Sequence, residues 1–336
     1  MAKKLLSILV PCGDVQNDIR GCVESMLSGG ENLEILLVDI GVQNSAGAVL
    51  EELTERYPDI IRTLRQPTGS RGSAVMAGLQ MATGTYFKVV DPEHRLNESV
   101  LARVMELLQE SVEKFDMLIC NSVLEKPDEK RKKVVHYRRE LSKERVFGWD
   151  EFGHFAKEDY IWMSSCIYRT QMLLDAGLEI PADINCIETL YETLPMQWVK
   201  KMYYLDGDLD HCCIHWEDPQ SEEARRVNSA EQRLRIAQML LNQLELNNED
   251  TPKRNRYLYN CFERITAETS VLLVKSGKPE LRVKRDWFWQ NLYKKDAKLC
   301  EKLRSDPVIR RILGTSQWGC KWALMQQAKR QKQMRP

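Results

Sequence analysis

Asp91 and Glu93 are the residues of this chain whose type and spacing most directly offer chemistry. They close the segment Gly84-Thr-Tyr-Phe-Lys-Val-Val-Asp-Pro-Glu, where an apolar run stops abruptly at Pro92. Carboxylates at the C-terminal end of a buried strand in an open α/β sheet face the crevice where ligands bind. Two acids at i and i+2 can hold a hard divalent cation, Mg²⁺ or Mn²⁺, which keeps waters and bridges substrate phosphates. A plain polar turn after a strand has the same pattern, so the residues around it decide the reading.

Three further positions converge on the same edge of such a sheet. Asp39 ends an apolar run, Leu33–Asp39, and precedes Ile40-Gly41; an acid there can accept hydrogen bonds from a base or ribose. Gly69-Ser-Arg-Gly72-Ser opens a helical pattern, and backbone N–H groups of Gly72 and Ser73 with the charge of Arg71 would suit a phosphate. Pro11-Cys12-Gly13 follows the first apolar run. The loop lacks both GxGxxG and the Walker lysine pattern, which disfavours a nicotinamide dehydrogenase and a P-loop NTPase. A nucleotide diphosphate held by metal, loop and strand-end acids fits the set.

The elements that must position these residues follow from periodicity. Strands are predicted at Leu5–Val10, Leu33–Asp39, Ile61–Leu64 and Tyr86–Val90, with helices at Asp18–Leu27, Ala46–Tyr57, Ala74–Ala82 and Glu98–Ser111. Alternation with short turns predicts an α/β fold with a mostly parallel central sheet flanked by helices. Beyond it, Asp116–Ser122 and Lys201–Leu205 read as strands, Glu125–Arg139 as a charged hairpin-like stretch, and Leu173–Ala176 and Ile187–Thr193 as helical. After about residue 225 only long amphipathic helical patterns remain. The expected organisation is residues 1–225 as one domain, with a nucleotide-binding half (1–115) and an acceptor half (116–225). Residues 226–336 would be an all-helical C-terminal region.

Composition narrows the class. The 336 residues carry 49 Lys+Arg and 49 Asp+Glu, so no nucleic-acid partner is expected. The 10 cysteines include no CxxC pair, which argues against a zinc framework or a secreted disulfide scaffold. No apolar run approaches the roughly 18 residues of a membrane span, and a cytoplasmic protein is expected. The basic end, Lys321–Pro336 with Trp318 and Trp322 beside it, leaves two readings open: peripheral contact with the inner face of a membrane, or a solvated terminus. A homo-oligomer is also left open.

Taken in order, Val10-Pro11-Cys12, Leu37-Val38-Asp39-Ile40-Gly41, Gly72-Ser73-Ala74-Val75-Met76-Ala77-Gly78-Leu79 and Ala82-Thr83-Gly84-Thr85-Tyr86-Phe87-Lys88-Val89-Val90-Asp91 resemble glycosyltransferase family 2. The similarity is clear over 1–110. It continues through Ser165–Thr170, Leu178–Pro181, Tyr203–Asp206 and Trp216-Glu217-Asp218, stretches similar to a bacterial branch of that family. The resemblance implies a GT-A fold and transfer, with inversion, of a sugar from a UDP-linked or similar donor to a hydroxyl of a glycan or lipid-linked acceptor, in bacterial surface polysaccharide or glycoconjugate synthesis. It implies that Pro11 and Asp39 hold base and ribose, with Cys12, Gly13, Gly41, Arg71, Gly72 and Asp91 also around the nucleotide. Asp91 and Glu93 take the DxD-like metal position, and Glu188 the position of the catalytic Asp. Trp216, Glu217 and Asp218 would line the acceptor site.

The chain departs from the family pattern at several of these places. Ile40 and Val42 replace the second acid and the serine of VDDGS, Met76 replaces an asparagine, and Asp91-Pro-Glu93-His94-Arg95 replaces DSDDW. These changes keep a second reading open, a glycosyltransferase-like binding or scaffold protein with impaired catalysis. A nucleotidyltransferase would need a basic residue in the loop after the first strand, which Pro11-Cys-Gly-Asp14 lacks. His94, His211 and His215 are weighed as further metal ligands, and hydrogen-bonded structural histidines are the expectation.

Overall fold

The computed structural model describes residues 4–13, 19–41, 46–66, 69–111, 114–126, 129–213, 219–246, 250–314, 322 and 325–326. The first seven elements alternate: β1 (Leu6–Cys12), α1 (Ile19–Glu24), β2 (Leu33–Asp39), α2 (Gly47–Arg56), β3 (Ile61–Arg65), α3 (Arg71–Met81) and β4 (Tyr86–Val89). β1, β2 and β4 are buried at every residue. That explains why they read as largely apolar runs, since a parallel strand covered by helices has no solvent face. Next come β5 (His94–Leu96), α4 (Glu98–Glu110), β6 (Met117–Lys126), β7 (Glu129–Val135), β8 (Val146–Phe147) and β9 (Cys166–Arg169). The sequence closes this part with α5 (Thr170–Asp175), α6 (Glu188–Thr193) and β10 (Met202–Cys213).

The strand order is β3-β2-β1-β4-β9-β6-β10-β5, with β7 added to β6 and β8 to β10. β3, β2, β1 and β4 run parallel, as does the β6–β10 pair. β9 enters antiparallel between β4 and β6, so the sheet is mixed. Leu6, Ile8, Val10 and Cys12 project into one core with Ile19, Val23, Leu50, Leu53, Leu101 and Val104. α3 covers the other face, where a Cβ on Gly78 would lie 2.4 Å from Leu9 Cδ1. Glycine at that position lets helix and sheet approach closely. Asn97 starts α4 by accepting the Val100 N–H at 3.1 Å, an N-cap of the usual chemistry.

The chain packs as two compact units, Met1–His154 with Ile161–His215, and Phe155–Tyr160 with Trp216–Pro336. The second holds α7 (Pro219–Asn228), α8 (Ala230–Gln243), α9 (Pro252–Lys275), α10 (Pro279–Lys295), α11 (Ala297–Arg304) and α12 (Pro307–Ile312). α9 is its spine, with Leu258, Phe262, Ile265, Val271, Leu272 and Leu273 essentially free of solvent. Among the described residues, no helix is long and apolar enough to cross a membrane.

Candidate active site

The parallel register aligns the strand ends. Cys12 stands opposite Asp39 across β1 and β2, and Leu9 opposite Val89 brings the chain after β4 to the same level. Asp39 is buried, and its Oδ1 accepts the Gly41 N–H at 3.0 Å, a local Asx turn that fixes the carboxylate. Its Oδ2 faces Arg65 Nε at 3.9 Å. The Cys12 thiol donates to Val10 O at 3.4 Å and is pushed far up by burial, then by Asp39; it is a packing group rather than a nucleophile. Among the described residues nothing lies within 4 Å of where a Cβ on Gly13 would project.

The loop before α3 differs from its sequence reading. The helix begins at Arg71, three residues before the expected Ala74, so Arg71 and Gly72 lie in its first turn. Ser70 caps it, with Ser73 Oγ accepting the Ser70 N–H at 2.7 Å in a capping box. The amides expected to face a phosphate are already used. Arg71 N–H donates to Asn185 Oδ1 at 3.1 Å, Gly72 N–H to Ile184 O at 2.9 Å, and Ser73 N–H to Ser70 Oγ at 3.3 Å. The phosphate role given to Gly72 is therefore corrected, because its amide is satisfied by the 181–185 segment. A Cβ there would lie 2.5 Å from Pro181 O and 2.8 Å from Ile184 O, so this glycine permits backbone to seat against backbone.

That seat carries α6, whose first residue is Glu188, to the Arg71 guanidinium. Nη1 of Arg71 bonds Glu188 Oε1, and Nη2 bonds Asp91 Oδ1 at 2.6 Å. Burial works against the Arg71 charge, but Asp91 and Glu188 outweigh it and hold the group above the ordinary arginine range. Asp91 and Glu188, from the end of β4 and the start of α6, thus belong to one site. Both stay partly open, with side-chain exposures of 23% and 42%, so solvent and ligand reach them. Glu93 is exposed in the turn after Asp91, and the His94 N–H closes that turn on Asp91 O at 2.9 Å.

Among the described residues no three His, Cys, Asp or Glu side chains gather as a metal cage. The donors that remain are Asp91 and exposed Glu93. They suit a cation that takes one or two carboxylates and completes its shell with water and substrate phosphate. His94 is buried, and its Nδ1 lies 2.7 Å from Asp210 Oδ1. Burial disfavours its charge, yet Asp210 outweighs this and raises it well above the usual imidazole range. His211 pairs with Glu125 at 2.5 Å, so His94 and His211 are each held by a carboxylate. His215, Trp216, Glu217 and Asp218 lie outside the described residues, as does most of the basic tail.

Sequence reasoning missed two partners of this site. Asn185 braces Arg71 through its side chain, and nothing in Ile184-Asn185-Cys186 marked it. Lys88 is fully buried on β4 and pairs with Asp210 Oδ2 at 3.1 Å. A lysine in the middle of an apolar strand was a usable signal, because such a group is almost never fully buried without a partner.

The family model described as Glycosyl transferase family 2 matches residues 7–165. Over these residues the chain is similar to that family. Among curated proteins, the family 2 region is similar to the uncharacterized glycosyltransferase EpsJ of Bacillus subtilis, 26% identical over 55% of this chain and 53% of that one. It is also similar to glycosyltransferase GlyG of Streptococcus pneumoniae, 28% identical over 32% of this chain and 36% of that one. The chain spans about half the length, or less, of the curated relatives it matches. Among solved structures, S. aureus TarS 1–349 in complex with UDP-GlcNAc superposes with a TM-score of 0.65 at 15% identity, over 97% of this chain and 91% of that one. The mannosyltransferase PcManGT of Pyrobaculum calidifontis, in complex with GDP-Man and Mn²⁺, gives 0.51 at 12% identity over 95% and 86%. At these identities the structural likeness establishes the fold, a GT-A-like α/β architecture followed by helices.

Proposed function

We propose that this protein transfers a sugar from a nucleotide-diphosphate sugar, UDP-linked, to a hydroxyl of a glycan or lipid-linked acceptor with inversion. The observation that carries this reading is the joining of Asp91 and Glu188 by one guanidinium. It supports a single crevice holding a donor-side acid and an acceptor-side base. Asp39 and the backbone at Pro11–Gly13 would take the base and ribose. Glu188 would accept the acceptor hydroxyl proton as that oxygen forms its bond to the anomeric carbon. The bond from that carbon to the diphosphate breaks, and the nucleoside diphosphate leaves with the electron pair. Asp91 and Glu93 would hold Mg²⁺ or Mn²⁺, whose charge stabilises a departing diphosphate. Arg71 sits beside Asp91 and Glu188 and brings a permanent positive charge to the crevice. A cytoplasmic site of action in bacterial surface glycan synthesis is part of this proposal, as is the grouping of 1–225 as the transferring domain.

The test is thermal stabilisation by UDP with Mn²⁺, since a ligand selective for the native state adds about 2.7 kcal/mol at a hundredfold excess over its Kd. Slow hydrolysis of a nucleotide sugar should accompany it. Absence of stabilisation by any nucleoside diphosphate at millimolar concentration rejects the reading. Ile40 and Met76, half-buried where the family has polar groups, favour the binding-only alternative; turnover with any donor sugar eliminates it.

A further inference from the structure

Arg71 engages one oxygen of Asp91, the carboxylate proposed to hold the cation. Its Nη2 lies 2.6 Å from Asp91 Oδ1, while Nη1 bonds both Glu188 Oε1 and, at 3.3 Å, Asn185 O. The backbone under it is equally fixed, because its own N–H is held by Asn185 Oδ1 at 3.1 Å and the next amide by Ile184 O at 2.9 Å. A fork held at both prongs and at its base is a pre-organised arrangement, and an arginine engaging two carboxylates exploits its planar donors as a lysine cannot. The same guanidinium therefore neutralises the acid proposed to hold metal and the acid proposed as base.

We infer that Arg71 is a latch that keeps the free protein from binding a divalent cation at Asp91, and that the anionic diphosphate of the donor releases it. This rests on the metal role proposed for Asp91 and Glu93 and adds a regulation to it. In the free protein a cation at Asp91 competes with the guanidinium's charge and with its hydrogen bond to Oδ1. A diphosphate offers the guanidinium a competing set of oxygens of higher charge. Once the fork turns to them, Asp91 Oδ1 is free for the cation and Glu188 loses its counter-ion, which returns it to the role of base. Metal and nucleotide then bind with mutual reinforcement, by a factor that is the same in either direction. A free carboxylate pair loaded with metal in the absence of substrate does not arise, and the base stays neutralised until the donor arrives.

The test is titration of Mn²⁺, followed by electron paramagnetic resonance of the free ion, into the full chain with and without UDP. The proteins are wild type, Arg71→Ala and Arg71→Gln, with melting curves to show that each is folded. The expected result is that both variants bind Mn²⁺ alone at least about tenfold more tightly than wild type, the scale of one charge-assisted hydrogen bond. The boost that UDP gives to Mn²⁺ binding should shrink in the same variants. A residue that only supports the fold, or only adds affinity for nucleotide, predicts no gain for the metal alone. Folded variants that bind Mn²⁺ no better than wild type, while wild type binds it with UDP, overturn the latch and leave the metal site standing. If no protein binds Mn²⁺ even with UDP, the metal role of Asp91 and Glu93 itself falls, and the latch with it.

Discussion

Lys88 Nζ and Asp210 Oδ2 lie 3.1 Å apart with neither side chain exposed to solvent. Lys88 also donates to Ser164 O, and the other Asp210 oxygen holds His94. One buried carboxylate thus ties β4, β10 and the residue that closes the turn after Asp91. Its burial pushes against ionisation, but His94 and Lys88 prevail and keep it below the ordinary aspartate range.

Asp210→Asn is expected to destabilise the protein by about 3–5 kcal/mol, because it strands the Lys88 charge in the interior. Adding Lys88→Met should recover part of that loss, since removing both charges is far less costly than removing one. Urea unfolding of the single and double variants checks this. A double variant no more stable than Asp210→Asn would show that the Lys88–Asp210 contact does not govern stability here.

Gly72→Ala sets two effects in opposition. Alanine favours a helix by about 1 kcal/mol over glycine. The added Cβ would lie 2.5 Å and 2.8 Å from backbone oxygens of Pro181 and Ile184, and backbone cannot rotate aside as a side chain can. Overpacking of this kind costs about 1–3 kcal/mol, so a net loss in melting temperature is expected. Because the displaced segment carries Glu188, turnover should fall more than nucleotide affinity. A variant more stable than wild type would mean that the seat between α3 and the 181–185 segment is loose.

The parallel half of the sheet was legible because every residue of β1, β2 and β4 is buried, so the apolar run alone located each strand to within two residues. Asp39 and Asp91 were legible for the same reason, being the first acids after those runs. β10 was predicted to stop at Leu205 but continues to Cys213, past register shifts between Tyr204 and Asp210. Polar residues there do not break the strand, because Asn121 bonds both Asp206 and Asp208 from β6. The antiparallel insertion of β9 could not be read, since which strands pair is decided by contacts distant in sequence. The amides at the start of α3 were misjudged for a related reason. A helix N-terminus in sequence shows unsatisfied donors, and only the fold shows that Asn185 and Ile184 have taken them.

Glu188→Gln preserves size and one acceptor oxygen but removes the proposed base. A drop in kcat of about 10²–10⁴-fold is expected, the usual contribution of a positioned proton acceptor. UDP affinity should not fall, because the proposed mechanism places Glu188 on the acceptor side and its loss frees the Arg71 fork for the diphosphate. Glu188→Asp should also lose activity, since a displacement of ~1 Å can cost about 10²-fold. Steady-state kinetics with the donor found by the binding screen make the comparison. Unchanged kcat in Glu188→Gln would move the base elsewhere.

The helical unit supplies a prediction on acid stability that is independent of the site. Glu268, buried on α9, pairs with Arg226, and its Oε2 lies 3.6 Å from Arg233 Nη1. Burial alone would raise its pKa, but Arg233, Arg226 and Arg264 together lower it below the ordinary glutamate value of 4.5. A folded-state pKa below the unfolded one contributes stability that is fully present above the unfolded value and is lost as pH falls through the folded one. The expected window of loss therefore begins near pH 5 and extends downward. Glu268→Gln should cost about 2–4 kcal/mol at pH 7, less than a fully buried pair because the two arginines keep some solvent contact. As pH falls below about 4 the difference between variant and wild type should shrink, because protonation removes from wild type what the substitution removed already. Melting of both proteins from pH 3 to pH 8 measures it; a gap constant across that range would mean that the Glu268 charge contributes nothing and only its shape is needed.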